Sequence, residues 1–311
     1  MAVFEGFTPA DFDAFEERKW ASNAFNLERL EVKLKLSSLG KALGGPWLRA
    51  VADQEMDLTE ERPSIFNQHR VSDLTVFFYR DVEARKRLGA ILDKARSIAD
   101  HVQDPALHHR HLVMGIRIDQ AGVEAGIFIH RNAWVDWKNA RRRCQGYGET
   151  DRLSQILGGL PPDVLIGRGR GLTEADPTAA GVDGQAFLDG FDQADPWTVV
   201  GARFDRSDPL LADDGFVDRA GGLFEHLVPL HGFIAWTRQN DFHDLKEVIK
   251  EHQEKIQRKF SSVDVGDQVR ILSGMASGRV GVVDAIEKKG VVKVRMGLLV
   301  MSVKMEDLAR P

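Results

Sequence analysis

Apolar and polar residues alternate most regularly over residues 263–311. Val269 and Ile271, then Val292, Val294 and Met296, then Leu299, Met301, Val303 and Met305 recur at every second position. That is the period of a half-buried strand. Glycines divide these runs. Gly266 opens the first strand, Gly274 and Gly278 bracket a loop of small residues, and Lys288-Lys289-Gly290 reads as a hairpin turn. Gly281 falls inside a strand pattern, where a missing side chain predicts a bulge or a close backbone approach. Short strands with tight turns in so few residues bury a core by curling into a small barrel.

The remainder mixes helical and strand periods. Thr8-Pro9-Ala10-Asp11 is a helix start. A helix follows over 23–43, with Leu27, Leu30, Leu34, Leu39 and Leu43 at near-helical spacing and Gly44-Gly45-Pro46 as its stop. Residues 53–72 read as a loop or irregular edge, 74–79 as a buried strand and 81–101 as a long helix. Two strands, 111–119 and 123–130, flank the turn Asp119-Gln120-Ala121-Gly122. Helices over 131–144 and 185–191, a strand over 197–204 and a helix with Pro229 inside it complete the set. Residues 241–260 form a strongly charged helix ended by Ser261-Ser262. An antiparallel hairpin among helices argues for an α+β domain over 1–240, a charged helix and linker over 241–262, and an all-β SH3-like barrel over 263–311.

Composition narrows the function classes. The net charge is −5, but residues 263–311 hold eight Lys+Arg against six Asp+Glu. Overall charge therefore makes no case for nucleic acid. A single cysteine, Cys144, cannot form an internal disulfide and fits a reducing cytosol. No run approaches the roughly 18 apolar residues of a membrane span. Met1–Glu5 lacks the basic start and apolar core of a signal peptide. The reading is a cytoplasmic protein without a membrane partner.

The C-terminal pattern resembles a KOW motif of the kind found in the C-terminal domain of NusG-family transcription elongation factors. The resemblance runs through Val265-Gly266-Asp267-Gln268-Val269, Ser273-Gly274, Gly278-Arg279-Val280-Gly281-Val282-Val283 and Val292-Lys293-Val294, then on to Leu308. It implies an SH3-like barrel that docks proteins or RNA of the transcription or translation machinery. The rest of the chain does not resemble the NusG N-terminal domain. Phe7–Asp13 and His108–Gly115 are similar to small bacterial proteins of the YktB type, which implies no known activity.

Candidate chemistry is sparse. His108, His109 and His111 with His101 suggest a metal, but histidines at i, i+1 and i+3 before a strand point different ways, and no Cys or acidic partner has ligand spacing. Cys144 follows Arg141-Arg142-Arg143, cations that would favour a thiolate, yet no motif supplies a base. Asp136-Trp137-Lys138 has a nuclease-like look but stands on a helix without a second acid. The run Gly167-Arg168-Gly169-Arg170-Gly171 would wrap a phosphate, though it lacks the P-loop ending. Arg141, Arg142 and Arg143 beside Trp134 and Trp137 form the strongest basic-aromatic cluster, read either as a nucleic-acid surface or as core tryptophans with helix-end cations.

These observations assign no catalytic residue, metal or cofactor, and lean away from an enzyme. Residues 263–311 contain no Phe, Tyr or Trp, so the barrel cannot stack bases. The preferred reading is an adaptor that docks on a transcription or translation protein through Gly274, Met275, Arg279, Met296 and Leu298. The alternatives are direct RNA or DNA contact by Arg141, Arg142, Arg143, Arg168 and Arg170, or an enzyme targeted by the barrel.

Overall fold

A computed structural model describes residues 4–309 except 46, 49–50, 52–54, 65–66, 68, 81, 95–106, 170, 193–196, 238, 243–263, 272–275, 277–278, 288–290, 298 and 305–307. The chain divides into two compact units, Met1–Arg85 with Ala106–Phe242, and Lys86–Pro105 with His243–Pro311. Lys86–Pro105, read from sequence as part of a continuous first domain, thus groups with the C-terminal residues. The charged helix expected over 241–260 lies almost wholly outside the described residues. Among the described residues, no helix is long and apolar enough to cross a membrane.

The first unit is built on a six-stranded sheet of β1 (Glu55–Leu58), β2 (Asp73–Tyr79), β3 (Val113–Asp119), β4 (Gly122–His130), β5 (Leu165–Arg168) and β6 (Trp197–Asp205). Its order is β1-β2-β3-β4-β6-β5. Every neighbouring pair is antiparallel, which excludes a doubly wound fold and bears out the α+β class. The helices along the chain are α1 (Pro9–Asp13), α2 (Asn26–Ala42), α3 (Val82–Lys94), α4 (Trp134–Arg143), α5 (Glu149–Gly158), α6 (Gly184–Asp189) and α7 (Gly215–Ile234). The α7 helix packs on β4 and α2 on β2.

Strand alternation sends one set of side chains toward these helices. Leu74, Val76 and Phe78 of β2, Met114, Ile116 and Ile118 of β3, and Val123, Ala125, Ile127 and Ile129 of β4 join the main core. Leu36 and Leu39 of α2, and Phe224 and Leu227 of α7, meet them there. The opposite face has its own small cluster of Phe77, Val113, Phe128, Leu172 and Val199. Both faces of the central strands are therefore covered.

Two expectations fail. The sequence pattern assigns nothing to 149–158, where α5 buries Leu153 and Leu157. In α2 only the end of the expected stripe holds: Leu39 and Leu43 are buried, but Leu27, Leu30 and Leu34 are 68%, 37% and 61% exposed, and Val32 and Leu36 are buried in their place. Arg29 is the reason. It is fully buried, and its guanidinium donates to Glu61 O at 2.9 Å, Lys19 O at 2.9 Å, Ser22 O at 2.7 Å and Asn26 Oδ1 at 2.7 Å. A buried cation that saturates carbonyls is tolerated, and it turns the first leucine stripe outward.

A second buried cation closes one end of the sheet. Arg80, just after β2, donates through Nη2 to both carboxylate oxygens of Asp136 at 2.6 and 2.7 Å, and through Nη1 to Trp236 O at 3.0 Å. Asp136, fully buried in the first turn of α4, also accepts from the backbone N–H groups of Leu112 at 3.0 Å and Trp236 at 2.8 Å. One carboxylate thus ties β2, the entry to β3, α4 and the segment after α7.

In the second unit, β7 (Gln268–Ile271), β8 (Val280–Glu287), β9 (Val291–Met296), β10 (Leu299–Lys304) and β11 (Leu308–Ala309) form an antiparallel sheet in the order β10-β9-β8-β7-β11. Its core is Val269, Ile271, Ala276, Val283, Val292, Val294, Val303 and Leu308. Gly281 behaves as its position in a strand predicts: a Cβ there would lie 2.5 Å from Val294 Cγ1. The β8–β9 register also shifts between Val283 and Ala285. Gly297, at φ +64°, starts the two-residue turn between β9 and β10. Among the described residues no pairing joins β10 to β11, so the observed element is an open sheet.

Replacing Asp136 with Ala is expected to destabilise the protein by about 3–5 kcal/mol, because Arg80 is left buried without its counter-ion. Removing both charges, in an Arg80→Met, Asp136→Leu variant, recovers part of that loss. Recovery stays incomplete because the Leu112 and Trp236 amides still lack an acceptor. Urea unfolding midpoints of the two variants check this; equal losses would refute the charge argument.

Candidate functional site

The second face of the six-stranded sheet is arranged in rows that cross the strands. Thr75, Arg117, Glu124 and Arg203 are successive cross-strand partners, as are Phe77, Gly115, Gly126, Gly201 and Leu165 in the next row. A third row runs Val113, Phe128, Val199 and Gly167, and beyond it His130 pairs with Trp197. Charges therefore occupy one end, glycines the middle and aromatic rings the other end.

The glycine row reflects close strand approach. A Cβ on Gly126 would sit 2.3 Å from Val200 O, and one on Gly201 would sit 2.2 Å from Ala125 O. Side chains from the flanking rows can then lie over the row, and the Arg117 guanidinium is 5.3 Å from the Phe128 ring centroid.

Glu124 is the centre of the charged row. It is 1% exposed. Its Oε2 accepts from Arg117 Nη2, while Oε1 accepts from Arg203 Nη1 at 2.6 Å and from the Leu172 backbone N–H at 2.7 Å. Arg203 Nη2 reaches Asp119 Oδ1 at 3.4 Å. The loop carrying Leu172 can come this near because residue 171 is glycine: a Cβ there would be 2.8 Å from Glu124 Oε1. In sequence, Arg117 and Glu124 look like the solvent side of a hairpin. A charged residue on each of two strands that are buried on both faces was the available signal.

The N–H next to the glycine-arginine run 167–171, that of Leu172, donates to Glu124, while within the run the Gly169 N–H donates to Trp197 O at 3.0 Å. Arg168 is turned inward. Its Nη1 donates to Thr198 Oγ1 at 3.2 Å and its Nη2 to Phe187 O at 3.4 Å, and burial lowers its pKa. Arg141 Nη2 donates to Leu188 O at 3.2 Å. Two of the five arginines thus meet carbonyls at the C-terminal end of α6, where cations favour the helix dipole. Arg143 is 8% exposed. It pairs with Glu149 at 2.6 Å, donates to Asn240 Oδ1 at 2.9 Å and lies 4.0 Å from the Phe233 ring centroid. Its role is packing α4 against α7. Arg142 is half-buried, and Arg170 lies outside the described residues.

Trp137 is buried and donates through Nε1 to His130 O at 3.1 Å, whereas Trp134 is half-buried with Lys138 Nζ 5.3 Å from its ring. The arginines before Cys144 do not yield a thiolate: burial raises its pKa, with Glu149 adding to the rise. The histidines stack instead of converging on a point. His108 lies on Phe77 at 4.4 Å, His109 on His130 at 4.2 Å, and the Trp197 edge contacts His109 at 5.2 Å and His130 at 4.9 Å. Among the described residues no group of three or more His, Cys, Asp or Glu could hold a metal ion. His101 lies outside them.

In the second unit Arg279 is exposed, and its backbone N–H donates to Ala276 O at 3.1 Å. Met296 is partly buried and packs against the core. Gly274, Met275 and Leu298 lie outside the described residues. Leu299 and Val300 of β10 are 57% and 47% exposed, an apolar feature that the alternation had placed partly inside.

Two buried histidines make the first unit sensitive to acid. His231, in α7, has its pKa lowered from 6.5 to about 3 by burial, with Arg80 adding repulsion. Burial likewise holds His111 well below the usual value, with Arg80, Arg85 and His108 contributing. Between pH 6.5 and about 3 the unfolded state binds the proton that folded His231 refuses. Stability is therefore complete above pH 6.5 and falls as the pH drops through this window, by up to about 1.4 kcal/mol per pH unit for each such histidine. Urea unfolding from about pH 7 to pH 5 is expected to give a shallower slope for His231→Leu than for the natural chain. An unchanged slope would remove His231 from the account. Neither models of known protein families nor curated proteins match this chain.

Proposed function

We propose that the chain is an adaptor whose C-terminal sheet is an SH3-like barrel of KOW type, docking on a protein of the transcription or translation machinery. The observation that carries this reading is the strand order β10-β9-β8-β7-β11. Four strands meander, and the last returns to pair with the first, which is how a short chain curls toward a barrel. Of the KOW-like sequence, Gln268-Val269, Val280-Gly281-Val282-Val283 and Val292-Lys293-Val294 fall on β7, β8 and β9, and Gly281 stands where β8 meets Val294 and Arg295 too closely for a side chain.

Protein contact is favoured over nucleic acid for two reasons. The barrel residues include no aromatic ring for base stacking. In the first unit, Arg143 and Arg168 are occupied by internal partners. The exposed apolar positions Leu299 and Val300 lie on β10, whose sheet neighbour among the described residues is β9. An edge strand with exposed apolar residues offers both main-chain and side-chain contacts to a partner.

Affinity purification of the full chain from nuclease-treated lysate is expected to enrich RNA polymerase or ribosomal proteins. A Leu299→Ser, Val300→Ser variant should lose them while its stability changes by less than about 1 kcal/mol, as for surface positions. Enrichment that disappears on nuclease treatment would move the reading to nucleic acid. Enrichment of neither protein class would refute it.

A further inference from the structure

A cavity of about 210 Å³ opens beside the charged row, lined by Trp20, Ser72, Asp73, Arg117, Asp119 and the turn residues that follow. It belongs to the first unit and is separate from the docking surface proposed above.

Its walls carry both signs of charge, each with bonding capacity left over. Arg117 is 7% exposed, yet among the described residues its guanidinium makes one hydrogen bond, from Nη2 to Glu124. Its Nε is buried without any partner. A guanidinium has five N–H donors, and buried donors without acceptors cost free energy. The guanidinium lines the cavity with fewer bonds than its donors allow, and the end that borders the space can take an acceptor.

One step along the same strands, Asp73 and Asp119 are direct cross-strand partners. Like charges in that position repel. Asp73 Oδ2 accepts from Ser72 Oγ at 2.8 Å, and Asp119 Oδ1 accepts from the Ala121 and Gly122 N–H groups and from Arg203. The second oxygen of each carboxylate accepts no hydrogen bond among the described residues. These oxygens can accept from a cationic donor in the cavity.

We propose that the cavity binds a small zwitterion, a free α-amino acid. Its ammonium sits between Asp73 and Asp119, and its carboxylate lies on Arg117. The Trp20 indole, held by its Nε1–H to Phe15 O at 2.7 Å, walls the space for a short side chain. A simple anion would meet two carboxylates, and a simple cation would meet the guanidinium. Pockets for drug-sized ligands run to about 300–1,000 Å³, so this one suits a smaller molecule.

The test titrates the full-length protein with glycine, alanine, serine and leucine by calorimetry and thermal shift. Acetate and methylammonium serve as the two halves of glycine. At least one amino acid is expected to saturate with a Kd in the millimolar range or tighter, and each half-ligand to bind at least about ten-fold more weakly. Asp73→Asn and Asp119→Asn should each weaken binding by about ten-fold or more. The amide introduced by Asp119→Asn keeps an oxygen for the turn N–H groups, so that variant should melt near the natural chain. The absence of saturation by all four amino acids, methylammonium binding as tightly as glycine, or undiminished binding in both amide variants would each overturn the proposal.

Discussion

The carboxylate of Asp136 holds together parts of the first unit that are far apart in sequence. Arg80, Leu112 and Trp236 all donate to it, and it has no exposure to water. Low dielectric strengthens each of these bonds and makes the loss of any partner expensive. The positive charge of Arg80 in turn disfavours a second cation nearby. That is one reason why His231 and His111 stay neutral, burial being the larger.

A related constraint shapes the opposite face of the sheet. Covering both faces of an antiparallel sheet forces its charged side chains to find partners inside the protein. Glu124 meets this demand with two arginines and a backbone amide. Arg117 does so incompletely, because one carboxylate cannot match five donors. The glycine row lets these long side chains lie flat over the sheet, with less side-chain packing where strands β4 and β6 approach each other.

The second unit solves a smaller problem. Among the described residues eight buried side chains form the core of its sheet, seven of them valine, leucine or isoleucine from the strands and one the small Ala276. Gly281 and the register shift in β8 allow that strand to bend across its partners. On β10, Leu299 and Val300 remain in contact with water.

Local periodicity by itself determined the α+β class, the hairpin of β3 and β4, the strands β2 and β6, helices α4 and α6, and the alternation of the C-terminal strands. Each follows from contacts between near neighbours in sequence, which a period of 2 or 3.6 records directly. Helix α5 escaped because few apolar positions mark its buried side. The first turns of α2 were misread because Arg29 sits inward, and only the folded chain supplies the carbonyls of Lys19, Ser22 and Glu61 that make this tolerable. The arginines at 141, 143 and 168 looked like a surface for phosphates until the fold brought helix-end carbonyls, Glu149 and Asn240 to them. The cavity beside Arg117 was invisible for the same reason: Trp20, Asp73 and Asp119 come from separate segments. Whether a charged side chain is displayed or consumed depends on partners distant in sequence, and tertiary structure alone decides which of them arrive.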